Sequence, residues 1–222
     1  MRKIFTLLMT FALIFMTGCG GGDVDKKSDA PEKSSSAEKT SAEQKPAASG
    51  KKILVVYFSR TGEEYNVGRI TTGNTAIVAN FIAQKVDADT FEIKPAKPYP
   101  DEYEACTEIA KRELESKARP ALAANVENLA QYDTIFLGYP CWWGTMPMIV
   151  YTFLESNDFS GKTIIPFCTH GGSGLAATER EIAETCPKAK VANGLAIVGK
   201  RCQDEPDAVQ KEVDAWLKTL GY

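Results

Sequence analysis

Three short stretches concentrate the residue types that hold and orient small molecules. The first opens with Ser59-Arg60-Thr61-Gly62 and resumes at Thr72-Gly73-Asn74-Thr75-Ala76, where a helical pattern begins. Hydroxyls and free N–H groups at a helix start make a seat for a phosphate. No Lys follows these glycines and no G-x-x-x-x-G-K-[ST] is present, which excludes a nucleoside-triphosphate P-loop. The same residue types also serve as plain turn and cap residues. The second stretch, Tyr139-Pro140-Cys141-Trp142-Trp143-Gly144-Thr145-Met146-Pro147, puts two adjacent indoles in a loop framed by glycine and proline. Flat apolar rings on a loop suit stacking against an aromatic ligand, and Gly144 lets the backbone come close to a ring. One indole of the pair is expected to cover the core instead.

The third stretch is Thr169-His170-Gly171-Gly172-Ser173-Gly174. Such a glycine density implies close backbone approach or sharp turning. Two rival chemistries fit it poorly. Residues 172–177 match G-x-G-x-x-A, but no acidic residue closes the following strand as a dinucleotide site requires. His-Gly-Gly resembles a hydrolase oxyanion loop, yet no G-x-S-x-G is present and the chain has one histidine, so a Ser-His-Asp triad has no spare base.

The elements that must position these loops alternate in type. Residues 52–58 form a nearly unbroken apolar run, as in a strand buried on both faces, and residues 74–85 carry apolar side chains at helical spacing. Further strands are read at 90–94, 134–138, 163–168 and 194–198. Further helices are read at 101–117, 148–154, 175–185 and 207–220. Strands alternating with helices predict an α/β, three-layer, doubly wound sandwich whose sites lie at the carboxyl ends of the strands.

The 222-residue chain has a net charge of −3, so a nucleic-acid role has no support. Six cysteines with no C-x-x-C pair and a lone histidine argue against a structural metal site, and no metal ligands are assigned. The N-terminus has its own logic. Met1-Arg2-Lys3 precedes an apolar run to Met16, too short to span a bilayer comfortably but suited to export. It ends at Thr17-Gly18-Cys19, which resembles a bacterial lipobox; residues 1–18 are read as a lipoprotein signal peptide and Cys19 as the lipidated residue. Residues 19–50, rich in Ser, Ala, Lys, Glu and Gly, cannot bury enough apolar surface to fold and are read as a disordered tether. The domain is placed at 51–222.

Taken together, ILVVYFSRTG (53–62), GNT leading into a helix (73–75), YPCWWGTMP (139–147) and FCTHGGSG (167–174) resemble the flavodoxin-like family, over the whole of the folded part. The resemblance implies a five-stranded parallel sheet in order 2-1-3-4-5 and FMN as cofactor. Ser59, Thr61, Gly62, Asn74, Thr75 and Ala76 would then hold the FMN phosphate. Pro140, Cys141, Trp142, Trp143 and Gly144 would line the ring and ribityl chain, and Thr169, His170, Gly171, Gly172 and Gly174 would close the other side.

Residues 63–72 interrupt a Thr-Gly-Asn-Thr run that is continuous in most relatives. Because Thr-Gly occurs on both sides of this insert, either copy is a candidate for the phosphate, and the insert is a candidate lid or partner contact. Cys141 is expected to be a buried, inert thiol. The flavodoxin resemblance implies electron transfer to a redox partner protein or a small-molecule acceptor such as a quinone, and the lipobox resemblance places it in the cell envelope, outside the cytoplasm, held to a membrane through a lipid anchor. Two alternatives stand beside it: an FMN-dependent reductase of quinones or similar acceptors, in which His170 could donate a proton, and a degenerate flavodoxin fold acting as a binding module.

Overall fold

The computed structural model describes residues 52–222; the segments read as signal peptide and tether, with Cys19, lie outside the described residues. β1 (Ile53–Tyr57), β4 (Asp89–Glu92), β5 (Thr134–Pro140), β6 (Thr163–His170), β7 (Lys190–Val191) and β8 (Leu195–Val198) make one parallel sheet. Its order is β4-β1-β5-β6 with β7 and β8 both pairing to β6. This is the order 2-1-3-4-5, with the fifth position divided in two. The division follows from backbone bonding: Ala192 N–H donates to the Ile164 carbonyl, and the chain then bends through Asn193 and Gly194 before β8 resumes beside Phe167.

β1 shows why the sheet is covered on both sides. Successive side chains point to opposite faces, so Leu54, Val56 and Phe58 enter one core and Val55 the other. On one face α1 (Asn74–Val86), α5 (Gly199–Asp204) and α6 (Pro206–Thr219) bury Val78, Ile82, Cys202, Val209, Val213 and Leu217. On the other, α3 (Met148–Glu155) and α4 (Thr178–Thr185) bury Ile149, Phe153 and Ile182, with α2 (Tyr103–Glu115) beside α3.

The insert is a two-stranded hairpin, β2 (Gly62–Glu64) against β3 (Gly68–Ile70), separate from the main sheet. Non-local contacts dock it to the segment before α2. Glu63 N–H donates to the Asp101 carbonyl at 2.7 Å, and the Arg60 guanidinium donates to the carbonyls of Glu63, Pro100 and Asp101.

All five described cysteines are free thiols; only Cys141 is not buried. Burial pushes the thiols of Cys106 and Cys186 up to about 11 and those of Cys168 and Cys202 up to about 12. No described helix is long and apolar enough to cross a membrane.

Candidate functional site

The loops that leave β1, β5, β6 and β8 converge, with the hairpin and α2, on a cleft of about 690 Å³ at the carboxyl ends of the strands. Ligand clefts in doubly wound sheets occupy this edge. Its inner end is the start of α1. No side chain caps that helix, so first-turn N–H groups stand open, except that of Ala76, which donates to Ser59 Oγ at 3.1 Å. Gly73, at the N-cap, has to be glycine. A Cβ there would lie 2.1 Å from Ser59 Oγ and 2.4 Å from the Arg60 carbonyl oxygen. Gln203 Nε2 donates to Asn74 Oδ1 and to the Thr72 carbonyl, and the hydroxyls of Thr75 and Thr169 are bonded at 2.8 Å. Helices α1 and α5 and strand β6 are thereby locked together around the helix start, with Asn74, Gly199 and Lys200 on the cleft wall.

The loop after β5 contains a two-residue turn. Trp142 N–H donates to the Thr145 carbonyl, Thr145 N–H donates back, and the intervening Trp143 and Gly144 have φ of 54° and 79°. Left-handed backbone at both central positions is what a type I′ turn demands. For a tryptophan it costs about 1–2 kcal/mol. Two contacts hold Trp143 in this turn: its indole N–H donates to the Thr107 carbonyl, and Lys111 Nζ sits 5.5 Å from its ring. Thr145 donates to Glu181 Oε2 at 2.6 Å, which ties the turn to α4. The two indoles therefore part ways. Trp142 packs edge-on against Phe58 and Tyr99, with centroids 5.4 and 5.2 Å away, while Trp143 is 51% exposed.

In the loop after β6, Gly172 N–H donates to His170 Nδ1 at 2.9 Å. Burial lowers the His170 pKa, so the ring is neutral at pH 7 and its proton sits on Nε2. Across the cleft the hairpin contributes Glu64, Tyr65, Asn66 and Val67. Arg60 Nε lies 3.2 Å from Glu64 Oε1, with side chains 7% and 19% exposed. Burial outweighs the Arg60 charge and pushes the Glu64 carboxyl up to about 7.

Of the residues read from the sequence, the cleft gathers Asn74, Pro140, Cys141, Trp142, Trp143, Gly144, Thr169, His170, Gly171 and Gly172. Ser59, Thr61, Gly62, Thr75, Ala76 and Gly174 lie outside its lining. Ser59 and Thr75 act from behind, through Ala76 and Thr169. Thr61 is exposed and Gly62 belongs to β2, so the second Thr-Gly copy, Thr72-Gly73, is the one at the helix start. Cys141 is not the buried thiol expected: it is half-buried, lines the cleft and accepts a hydrogen bond from Ser173 Oγ at 3.1 Å. Sequence reasoning missed Arg60, Glu64 and Tyr65 on the hairpin side, Tyr103, Cys106 and Thr107 on α2, and Val198, Gly199 and Lys200 at the carboxyl end of β8. The last three carried a signal, since they too lie at the carboxyl end of a strand.

Fold and cleft together define a doubly wound, small-molecule-binding α/β domain. The chain belongs to the flavodoxin family, which it matches over residues 52–218. It is similar to two solved Bacteroides proteins assigned as flavoproteins. The one from Bacteroides uniformis ATCC 8492 is 36% identical over 76% of this chain and 99% of its own, with a TM-score of 0.62. That from Bacteroides eggerthii DSM 20697 is 30% identical over 78% and 99%, also at 0.62. A flavoprotein from Lactobacillus acidophilus NCFM, solved in complex with FMN, is 21% identical over 70% of this chain and 98% of its own; at a TM-score of 0.55 that likeness is one of fold. No curated protein sequence matches the chain.

Proposed function

We propose that the protein binds FMN and transfers electrons in the cell envelope. The observation that carries this is the layout of one cleft: an uncapped, glycine-started helix at one end and a loop tryptophan at the other. Those residues suit the cofactor. The α1 N-terminus with Asn74 and Lys200 would receive the phosphate, and the Trp143 face would meet an aromatic ring. Bound FMN supplies the electron chemistry. The chain's part is to bind, orient and shield: Trp143 is fixed by its turn, and the neutral His170 holds a proton at Nε2. That a relative in fold was solved with FMN supports the reading.

The test is the visible spectrum of purified protein after incubation with excess FMN and desalting. Retained flavin bands are expected, and a colourless protein would overturn the proposal. Envelope location rests on the N-terminal segment: the basic start, the apolar run to Met16, Thr17-Gly18-Cys19 and the polar tether that follows. Cys19→Ser is expected to move the protein from the membrane fraction to the soluble one.

A second reading, an FMN-dependent reductase of a quinone-like acceptor, is favoured by the cleft's mouth. Among the described residues all four exposed large hydrophobic side chains, Tyr65, Tyr103, Trp143 and Val198, line this same cleft. An apolar mouth admits a small acceptor to the site. Stepwise reduction with NAD(P)H or dithionite, followed by addition of a quinone, separates the two readings.

A further inference from the structure

We propose that the hairpin insert builds a separate subsite at the cleft mouth for a planar, uncharged, carbonyl-bearing acceptor, held against the rings of Tyr65 and Tyr103 and hydrogen-bonded by His170. The inference rests on the FMN reading and assigns the acceptor its own seat.

Exposed apolar side chains gathered into one patch mark an interaction or ligand site. Here three exposed rings, from three different elements, border one opening. Tyr65 and Tyr103 lie with centroids 5.9 Å apart and ring planes 34° from one another. The Tyr65 ring rests directly on the third loop: a Cβ on Gly171 would come within 2.8 Å of its Cδ1. The hairpin is thus seated against the site and not splayed into solvent. It is also fixed at its base, through Arg60 and through Glu63 Oε2, which accepts from Tyr103 N–H at 3.3 Å.

The polar groups at the mouth select the acceptor's chemistry. Arg60 is committed to Glu64 and to three carbonyl groups, so it offers no free cation for an anionic ligand. The Trp143 indole N–H is committed to Thr107. His170 is different. Its Nδ1 accepts from Gly172, which leaves the Nε2 N–H as a donor with no hydrogen bond among the described residues. Flat apolar surfaces plus one neutral donor describe a ring carrying a carbonyl, the quinone class.

The experiment is calorimetric titration of the FMN-loaded full chain, flavin oxidised, with 1,4-naphthoquinone and in parallel with naphthalene, which has the same fused rings and no carbonyl. Flavin absorbance after desalting is recorded for every variant. Tyr65→Ala is expected to weaken naphthoquinone binding about tenfold with flavin retained, and Tyr65→Phe to restore it. His170→Phe is expected to weaken naphthoquinone about fivefold and leave naphthalene unchanged. Wild-type protein that retains flavin but binds no naphthoquinone overturns the subsite and leaves the FMN reading standing, as does unchanged affinity in Tyr65→Ala. Loss of flavin from Tyr65→Ala also overturns it, because Tyr65 then serves the cofactor. Wild-type protein without flavin overturns the reading beneath.

Discussion

The two ends of the cleft are made differently. At the α1 end, side-chain hydrogen bonds tie three elements together: Ser59 to Ala76, Thr75 to Thr169, and Gln203 to Asn74 and Thr72. At the mouth, exposed rings stand on a small hairpin and on a turn whose tryptophan is in left-handed backbone. The first end is part of the fold's stability, and damage to it should appear in unfolding and in binding alike. The second draws on stability to hold apolar surface in water, so damage to it should appear mainly in binding.

The sharpest way to break this comparison lies in the adjacent indoles. Trp142→Ala, which removes a ring packed on Phe58 and Tyr99, should cost about 3 kcal/mol in urea unfolding. Gly73→Val should follow at about 2–3 kcal/mol, since its side chain must displace Ser59 and the Arg60 backbone; desalted protein should also lose its flavin. Equal flavin retention with wild type would show that the α1 end is not the phosphate seat.

The Glu64 carboxyl comes next. Its folded pKa, raised from 4.5 to about 7, means the folded chain holds more proton than the unfolded one between those values. Stability should therefore fall as pH rises through that window, by at most about 3 kcal/mol, and level off above it. Glu64→Gln should remove this slope in urea unfolding at pH 4.5–8. His170, whose lowered pKa slopes the opposite way, is common to both proteins. Smallest of all, Trp143→Ala should change stability by no more than about 0.5 kcal/mol, because lost ring contacts are offset by an easier left-handed turn. A loss comparable to that of Trp142→Ala would make Trp143 a core residue and erase the contrast.

How legible these features were depends on the range of the forces behind them. β1, β5 and β6 are dense apolar runs, and the α1 and α6 periods are set by local spacing, so both faces of the sheet could be read from residue order. The hairpin could not. Residues 62–70 carry no period, and what folds them is Arg60 reaching carbonyls about 40 positions away. β7 was hidden for the same reason: two residues of strand exist only because Lys162 and Ile164 present carbonyls to them. Within the site, the loops were visible from glycine, tryptophan and hydroxyl content. Which tryptophan faced the ligand was not, because that is decided by a turn and by Thr107, a residue on another element.

The five thiols bear on how such a domain meets its surroundings. Four are buried, which keeps them protonated, and none of the five is joined to another. Thiolates are the species that oxidants and exchange partners attack, so these four are insulated from the redox state of the surroundings, and Cys141 in the cleft is the one described thiol left open to it. Among the described residues the architecture is held by packing and hydrogen bonds, with no disulfide to form.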